Sequence, residues 1–232
     1  MQATSIGVNV EGRNGTPNTL TPDQIAGVVP QGNWNNEVGG QGSQGTETYS
    51  SLVDSSGQGS AITLTATYSD SWFSNSAVAG TSPTPDNILL NGIIKVSGNG
   101  GGNNTGTLVW NNVPAGSYKV DLELAENGPG AIGTISIGSN SQQLIEPDGG
   151  TEQGAVTYVT NPNDTVDVSN YAEFTNVSPD GTGAISINIS HDSGSDGFGI
   201  PGIQLTSVPE PASLGLLAIG AAGLLGRRRQ IV

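Results

Sequence analysis

The chain has 232 residues, with 20 acidic and 6 basic side chains, one histidine and no cysteine. Within residues 1–206, 19 acids face only Arg13, Lys95 and Lys119, and so acidic a body repels nucleic acid and anionic lipid headgroups. The absence of cysteine excludes disulfides and thiolate metal sites.

Apolar and polar residues alternate with a period of two along residues 1–206, which is typical of half-buried strands, and no segment there has the 3.6-residue period of a helix. The predicted strands are Ile6–Val10, Ala61–Tyr68, Ile88–Val96, Gly106–Trp110, Ser117–Ala125, Ala131–Gly138, Ala155–Val159, Ile185–Ile189 and Ile200–Thr206. With 36 glycines and 13 prolines for the turns between them, the pattern predicts a single all-β domain, a β-sandwich or jelly roll over residues 1–206.

Two tryptophans stand next to asparagines at predicted polar turns, in the segments Asn-Trp-Asn-Asn and Trp-Asn-Asn. An indole can cover the apolar face of a pyranose while neighbouring amides bond the sugar hydroxyls. The candidate glycan-binding residues are therefore Trp34, Asn35, Asn36, Trp110 and Asn111. The alternative is that each large ring closes one end of the sandwich core.

A candidate metal site follows the isoleucine strand, in a polar stretch that begins at His191. Asp192 and Asp196 offer the hard oxygen ligands that Ca²⁺ takes, so a structural calcium ion is a candidate although no cofactor is required. The alternative is that Asp, Ser and Gly simply form a turn there.

Catalysis finds little support in the sequence. His191 is the only histidine, so a Ser-His-Asp or Cys-His arrangement could form only around that residue. Any two of the acids could in principle form a glycosidase pair, but none is distinguished by its neighbours. We therefore expect a protein that is not an enzyme.

Residues 207–232 form a tail in three parts. These parts are Val208-Pro209-Glu210-Pro211, the apolar run 212–226, and Arg227-Arg228-Arg229. The sixteen uncharged residues between Glu210 and Arg227 would reach about 24 Å as a helix, somewhat less than a hydrocarbon core of about 30 Å. We expect a short transmembrane helix, with the arginines in the cytoplasm and residues before Val208 on the far side of the membrane.

This tail resembles the PEP-CTERM sorting signal of Gram-negative bacteria, in which Pro-Glu-Pro precedes an apolar helix and a basic end. The resemblance implies an exported protein that is held transiently in the inner membrane and is processed by an exosortase near Pro209-Glu210-Pro211. The protein would then remain at the cell surface or be secreted. The alternatives are an ordinary tail anchor and a buried C-terminal helix.

The body is similar, more loosely, to galactose-binding-like or malectin-like jelly rolls. The similarity lies in Ile6–Val10, in Ala26–Pro30 followed by Asn33–Asn36, in Val113–Leu124 and in Gly202–Leu205. It implies carbohydrate binding by loops at one end or by one face of a sandwich.

Two activities compete for this exported, noncatalytic module. The Trp-Asn turns favour binding of an extracellular polysaccharide. The partners of the protein would then be this polysaccharide and the exosortase. Thr-rich, uncharged strand faces leave open self-association, edge to edge, into a structural surface layer or biofilm matrix.

Overall fold

The computed structural model describes residues 4–11, 19–37, 45–73, 83–96, 104–125, 130–146, 156–164, 166–194 and 197–209. Within these ranges the chain forms fourteen strands and one short helix. The elements are β1 (Ser5–Val10), β2 (Asn35–Glu37), β3 (Gly45–Tyr49), β4 (Thr63–Tyr68), β5 (Asp70–Phe73), α1 (Pro85–Leu89), β6 (Gly92–Val96), β7 (Thr105–Asn111), β8 (Ser117–Glu123), β9 (Ile132–Ile137), β10 (Asn140–Ile145), β11 (Tyr171–Val177), β12 (Ile185–Ser193), β13 (Phe198–Ile200) and β14 (Gly202–Val208).

The strands form an all-β sandwich, as the period-two pattern predicts. A five-stranded sheet has the order β11-β8-β14-β1-β2, and a six-stranded sheet has the order β10-β9-β12-β7-β4-β3. A third sheet, β13-β6-β5, is smaller. The pairing of β1 with β2 is parallel, and every other pairing of the described strands is antiparallel.

The core lies between the two large sheets. Val120 and Leu122 of β8 point into it from one side, and Ile187 and Ile189 of β12 from the other. Phe198, from the small sheet, joins the same apolar cluster and is fully buried. Burial of this kind contributes about 25 cal/mol per Å², so in a chain without disulfides the core carries most of the stability.

The structure corrects the predicted elements in three places. The segment Ile88–Val96 is not one strand, because Ile88 lies in the helix α1, which begins at Pro85 after the N-capping Thr84. The predicted strand Ile200–Thr206 starts at Gly202, because Pro201 separates it from β13. Residues 156–159 form no strand, and Ala155 lies outside the described residues.

Strand β8 holds two carboxyl groups inside the protein. Asp121 and Glu123 point away from the core, yet both are fully buried. Burial, with repulsion from Asp121, raises the pKa of Glu123 to about 8. Burial also raises the pKa of Asp121 to about 6, against the attraction of Lys119, whose Nζ lies 3.1 Å from Asp121 Oδ2.

A carboxyl group whose pKa is raised on folding stabilises the fold fully below its unfolded pKa, and this stability is lost as the pH rises through the folded value. For Glu123 this stability is lost as the pH rises from 4.5, the ordinary pKa of the side chain, to about 8, its pKa in the folded protein. We expect Glu123→Gln to remove much of this loss, because the amide cannot ionise. At pH 9 the variant should melt above the wild type by on the order of 10 °C, whereas at pH 5 the two should be close.

The control for this prediction is Asp167→Asn, which changes an exposed acid. It should melt with the wild type at both pH values when followed by circular dichroism. A Glu123→Gln variant whose melting temperature tracked the wild type across the whole pH range would show that Glu123 is not held in a buried, protonated state.

Candidate functional site

Trp34 is sealed beneath its own loop. Its ring is 4% exposed, and Nε1 donates to the carbonyl oxygens of Ala26 at 3.3 Å and Gln31 at 3.1 Å. A Cβ atom on Gly7 would come within 2.7 Å of the ring, and one on Gly27 within 2.5 Å. The prediction that this indole stacks on a sugar is therefore wrong, because neither of its faces is open. The ring is buried in a small apolar cluster of its own and is not part of the sandwich core.

Trp110 lies deeper still. It is a core residue of β7 with no exposed surface, opposite Leu64 of β4 and Ile185 of β12. Within the described part of the chain, its Nε1 has no hydrogen-bond partner. The ring is out of reach of a glycan, so the stacking prediction is wrong here too.

The three predicted asparagines serve the fold through their amides. The amide of Asn35 donates to the Val53 carbonyl and accepts from the Val53 N–H. The amide of Asn36 likewise accepts from the Leu20 N–H and donates to the Leu20 carbonyl. Asn111 donates to a threonine hydroxyl and a backbone carbonyl of its own sheet. The structure therefore does not bring these amides and the indoles together as one open surface.

Asp192 lies on β12 and not in a loop. Its Oδ2 accepts hydrogen bonds from Thr134 and Gln143, and its Oδ1 accepts one from Ser190. Partial burial acts to raise the pKa of Asp192, but these hydrogen bonds outweigh it and hold that pKa below its usual value. Asp196 lies outside the described residues, and calcium binding stays a prediction. Within the described ranges, no three Asp, Glu or His side chains gather at a spacing that would hold a metal ion.

The exposed face of the six-stranded sheet carries aligned rows of hydroxyl and amide side chains. The cross-strand register places one such residue from each of the six strands side by side. This set, called the hydroxyl row below, consists of Thr46, Thr67, Thr107, Asn188, Ser136 and Ser141. At about 4.8 Å between neighbouring strands, the row spans about 24 Å.

A shallow groove runs beside the middle of the hydroxyl row. It has a volume of about 250 Å³ and follows β12 between β7 and β9. A second row, formed by Thr105, Ser190, Thr134 and Gln143, borders it. Asp192 is the only charged side chain on this face of the described strands. Sequence patterning indicates a Thr-rich face, but only the register between distant strands shows that the polar groups align.

Strand β14 ends the described part of the chain. It pairs with β8 as far as Val208, two residues beyond the predicted domain limit at residue 206. Pro209 follows, and the predicted transmembrane helix and triple arginine lie outside the described residues. No helix found in the described ranges is long and apolar enough to cross a bilayer.

Residues 207–230 match the sequence family described as the PEP-CTERM protein-sorting motif. The chain carries a PEP-CTERM sorting motif. This confirms the resemblance that the tail shows by its three parts, and a PEP-CTERM motif implies export from the cytoplasm and processing by an exosortase. A sequence comparison with curated proteins found no match.

Three solved structures illustrate what the sandwich is similar to. β-Glucuronidase 2 of Bacteroides uniformis is 13% identical with a TM-score of 0.41, and the match covers 88% of this chain but only 18% of the enzyme. The C-terminal CBM6 of LamC from Zobellia galactanivorans is 18% identical with a TM-score of 0.26, covering 50% of this chain and 88% of the module. A carbohydrate binding module of Cellvibrio mixtus lichenase 5A, in complex with cellotriose, is 11% identical with a TM-score of 0.25. That match covers 82% of this chain and 96% of the module.

The burial of Trp34 predicts a structural defect on truncation. Trp34→Ala should lower the free energy of unfolding by roughly 3–5 kcal/mol, because it removes a buried ring and leaves a cavity over β1. Trp72→Ala, at a ring that is 37% exposed, should cost clearly less. Thermal or urea unfolding of the two variants measures the difference, and equal losses would contradict the sealed position of Trp34.

Proposed function

We propose that this chain is an exported, exosortase-processed, noncatalytic module that binds an extracellular polysaccharide through the exposed face of the six-stranded sheet. The hydroxyl row is the observation that supports this. It offers an almost uncharged strip of polar groups whose length suits an extended chain better than a small molecule. The indoles are buried, so the binding would rest on hydrogen bonds and not on ring stacking.

The chemistry of the row matches that of a sugar chain. Ser and Thr hydroxyls and Asn amides both donate and accept hydrogen bonds, as sugar hydroxyls do. In the described structure, the side chains of Thr107, Ser136 and Asn188 make no hydrogen bond to the protein. Each bond to a ligand would contribute a net of about 0.5–1.5 kcal/mol, so several aligned groups give useful affinity only together.

Charge narrows the class of polysaccharide. Acidic residues greatly outnumber basic ones in residues 1–206, and Asp192 stands at the border of the groove. A uronic acid or sulfated polymer would be repelled from such a surface. The proposed ligand is therefore a neutral polysaccharide, or one that carries amines.

Self-association, the competing activity, has less support at the β10 edge of the six-stranded sheet. The edge strand β10 is already covered at Gln143. The N–H of Asn163 donates to the Gln143 carbonyl, and the N–H of Gln143 donates to the side-chain Oδ1 of Asn163. The carbonyl of Ile145 accepts from the N–H of Ser169 in the same way. An edge whose backbone groups are satisfied is a poor template for another chain.

The tail supplies the route to the cell surface in this proposal. The apolar run 212–226 would hold the precursor in the inner membrane, with the arginines on the cytoplasmic side. The exosortase would act near Pro209-Glu210-Pro211 and free the sandwich to the surface or the medium.

The polysaccharide proposal is tested with the full chain in mild detergent. Asn188→Ala should weaken retention on immobilised neutral polysaccharides about three- to tenfold, the loss of one net hydrogen bond. Adding Thr107→Ala should weaken it further. Asn161→Ala, which removes an asparagine amide that bonds the Val168 carbonyl and belongs to none of the six strands, is the control and should bind like the wild type.

Two results would count against glycan binding. One is wild-type protein that no neutral polysaccharide retains. The other is an Asn188→Ala, Thr107→Ala double variant that is retained like the wild type. If sedimentation then showed concentration-dependent assembly of the wild-type chain, self-association would be the better assignment.

The sorting proposal has its own test. Replacing Arg227, Arg228 and Arg229 with Glu should misorient or release the precursor, because positive charge fixes the orientation of the tail. Glu210→Ala should slow processing, whereas Asp167→Ala in the body should not. Immunoblots of membrane and medium fractions follow both effects, and unchanged localisation and processing in the tail variants would refute the assignment.

A further inference from the structure

A separate cleft lies between the two large sheets at one end of the sandwich. It has a volume of about 390 Å³, within the range of small-ligand sites. The turn between β9 and β10, the end of β11 and the start of β12 surround it. It shares no residue with the groove beside the hydroxyl row.

The cleft has an apolar floor and a polar rim. Ile137, Val177 and Ile185 form the floor, and all are buried. Around them stand hydroxyl and amide groups, among them Asn140 and Asn176. An apolar base with a few polar groups above it is the usual construction of a site for a small ligand.

Asn176 is held in an unusual backbone conformation at this rim. Its φ is 57°, in the left-handed region, and the pairing of β11 with β8 is interrupted by a bulge between Phe174 and Val177. A bulge re-aims the side chains of its strand, and asparagine is, after glycine, among the residues that most readily adopt the left-handed conformation. The bulge therefore accounts for an asparagine side chain at the cleft instead of along the strand.

The polar groups of the rim are not used by the fold. Within the described ranges, the side chains of Asn140, Asn176, Ser178 and Ser186 make no hydrogen bond to the protein. This contrasts with Asn35 and Asn36, whose amides are committed to the backbone. The rim is thus a set of hydrogen-bonding groups that only water or a ligand can satisfy.

Asp180 is the one charged group of the cleft. Its Oδ1 accepts from the N–H groups of Thr182 and Ala184. The same kind of turn occurs at Asp54, whose Oδ1 accepts from the N–H groups of Ser56 and Gln58. The turn accounts for Oδ1 alone. In the described structure, Oδ2 is left to accept from hydroxyl groups of a ligand.

We propose that this cleft binds one or two residues of an uncharged saccharide, as a second site independent of the hydroxyl row. Ring carbons would lie on the isoleucine and valine floor, neighbouring hydroxyls would donate to Asp180, and the Asn140 and Asn176 amides would bond the remaining oxygens. The carboxylate disfavours acidic sugars. The volume limits the ligand to a short unit, such as the end of a chain.

The test follows the asparagine side-chain amides of the full chain in detergent by NMR, with galactose, glucose and cellobiose as probes and glucuronate as the acidic comparison. At least one neutral probe should shift the Asn140 and Asn176 signals, and glucuronate should not. Asn176→Gly keeps the left-handed backbone without strain and removes the amide. It should weaken binding about three- to tenfold with an unchanged melting temperature.

Asn112→Gly is the matched control, because Asn112 also has a φ of 57° but lies outside the cleft. It should bind the probes like the wild type. The proposal is overturned if no neutral probe shifts the rim signals, or if Asn176→Gly binds as the wild type does. Failure of the hydroxyl-row proposal is distinguishable, because Asn188→Ala acts on polysaccharide retention and leaves the rim signals unchanged.

Discussion

The central part of the five-stranded sheet is buried on both faces, and this constraint shapes the rest of the molecule. One face meets the core, and the other lies beneath the segment that leads to Trp34, with Leu20, Ala26 and Leu89 around the indole. The ring can lie flat on the sheet only because Gly7 has no side chain. With this face closed, the six-stranded sheet is left to present a broad polar surface.

Closing the second face has an electrostatic consequence. Buried polar groups are costly unless they find partners, and here they find them in the covering segment. Gln204 of β14 accepts from the Val29 N–H and donates to the Val29 carbonyl. Glu123 accepts from the Val28 N–H at 3.3 Å. The buried side chains thus hold the covering segment in place. Among the described residues, Glu123 Oε2 and Asp121 Oδ1 have no hydrogen-bond partner, whereas Asp121 Oδ2 is paired with Lys119.

Alternation of apolar and polar residues along the sequence predicts where strands lie, but it does not predict which of their faces are buried. Ser117–Ala125 is predicted as a strand, and the structure has one at Ser117–Glu123. The same pattern would expose Asp121 and Glu123, because period two separates two faces without indicating what covers each. Likewise, Trp34 beside asparagines fits a sugar platform until Gly7, far earlier in the chain, is known to lie under it.

Elements without the apolar alternation could not be found from the sequence. Strand β10 is largely polar, and its pairing with β9 defines it. The helix α1 has five residues, too few to establish a 3.6-residue period. The hydroxyl row depends on six strands from distant parts of the chain, and the cleft depends on a bulge, so neither has a local signal. The tail is the opposite case, because its motif lies in contiguous residues and can be recognised from the sequence alone.

Fold and sorting signal meet at Pro209. Strand β14 lies in the interior of its sheet. The backbone N–H and the hydroxyl of Ser207 both form hydrogen bonds with Thr4, the residue before β1. Proline cannot donate to a ladder, so the residue that opens Pro-Glu-Pro also ends the strand. No linker separates the two, and an exosortase that acts at this motif must work within a few residues of a hydrogen-bonded sheet. The order of residues at this junction therefore has to satisfy the sandwich and the processing enzyme together.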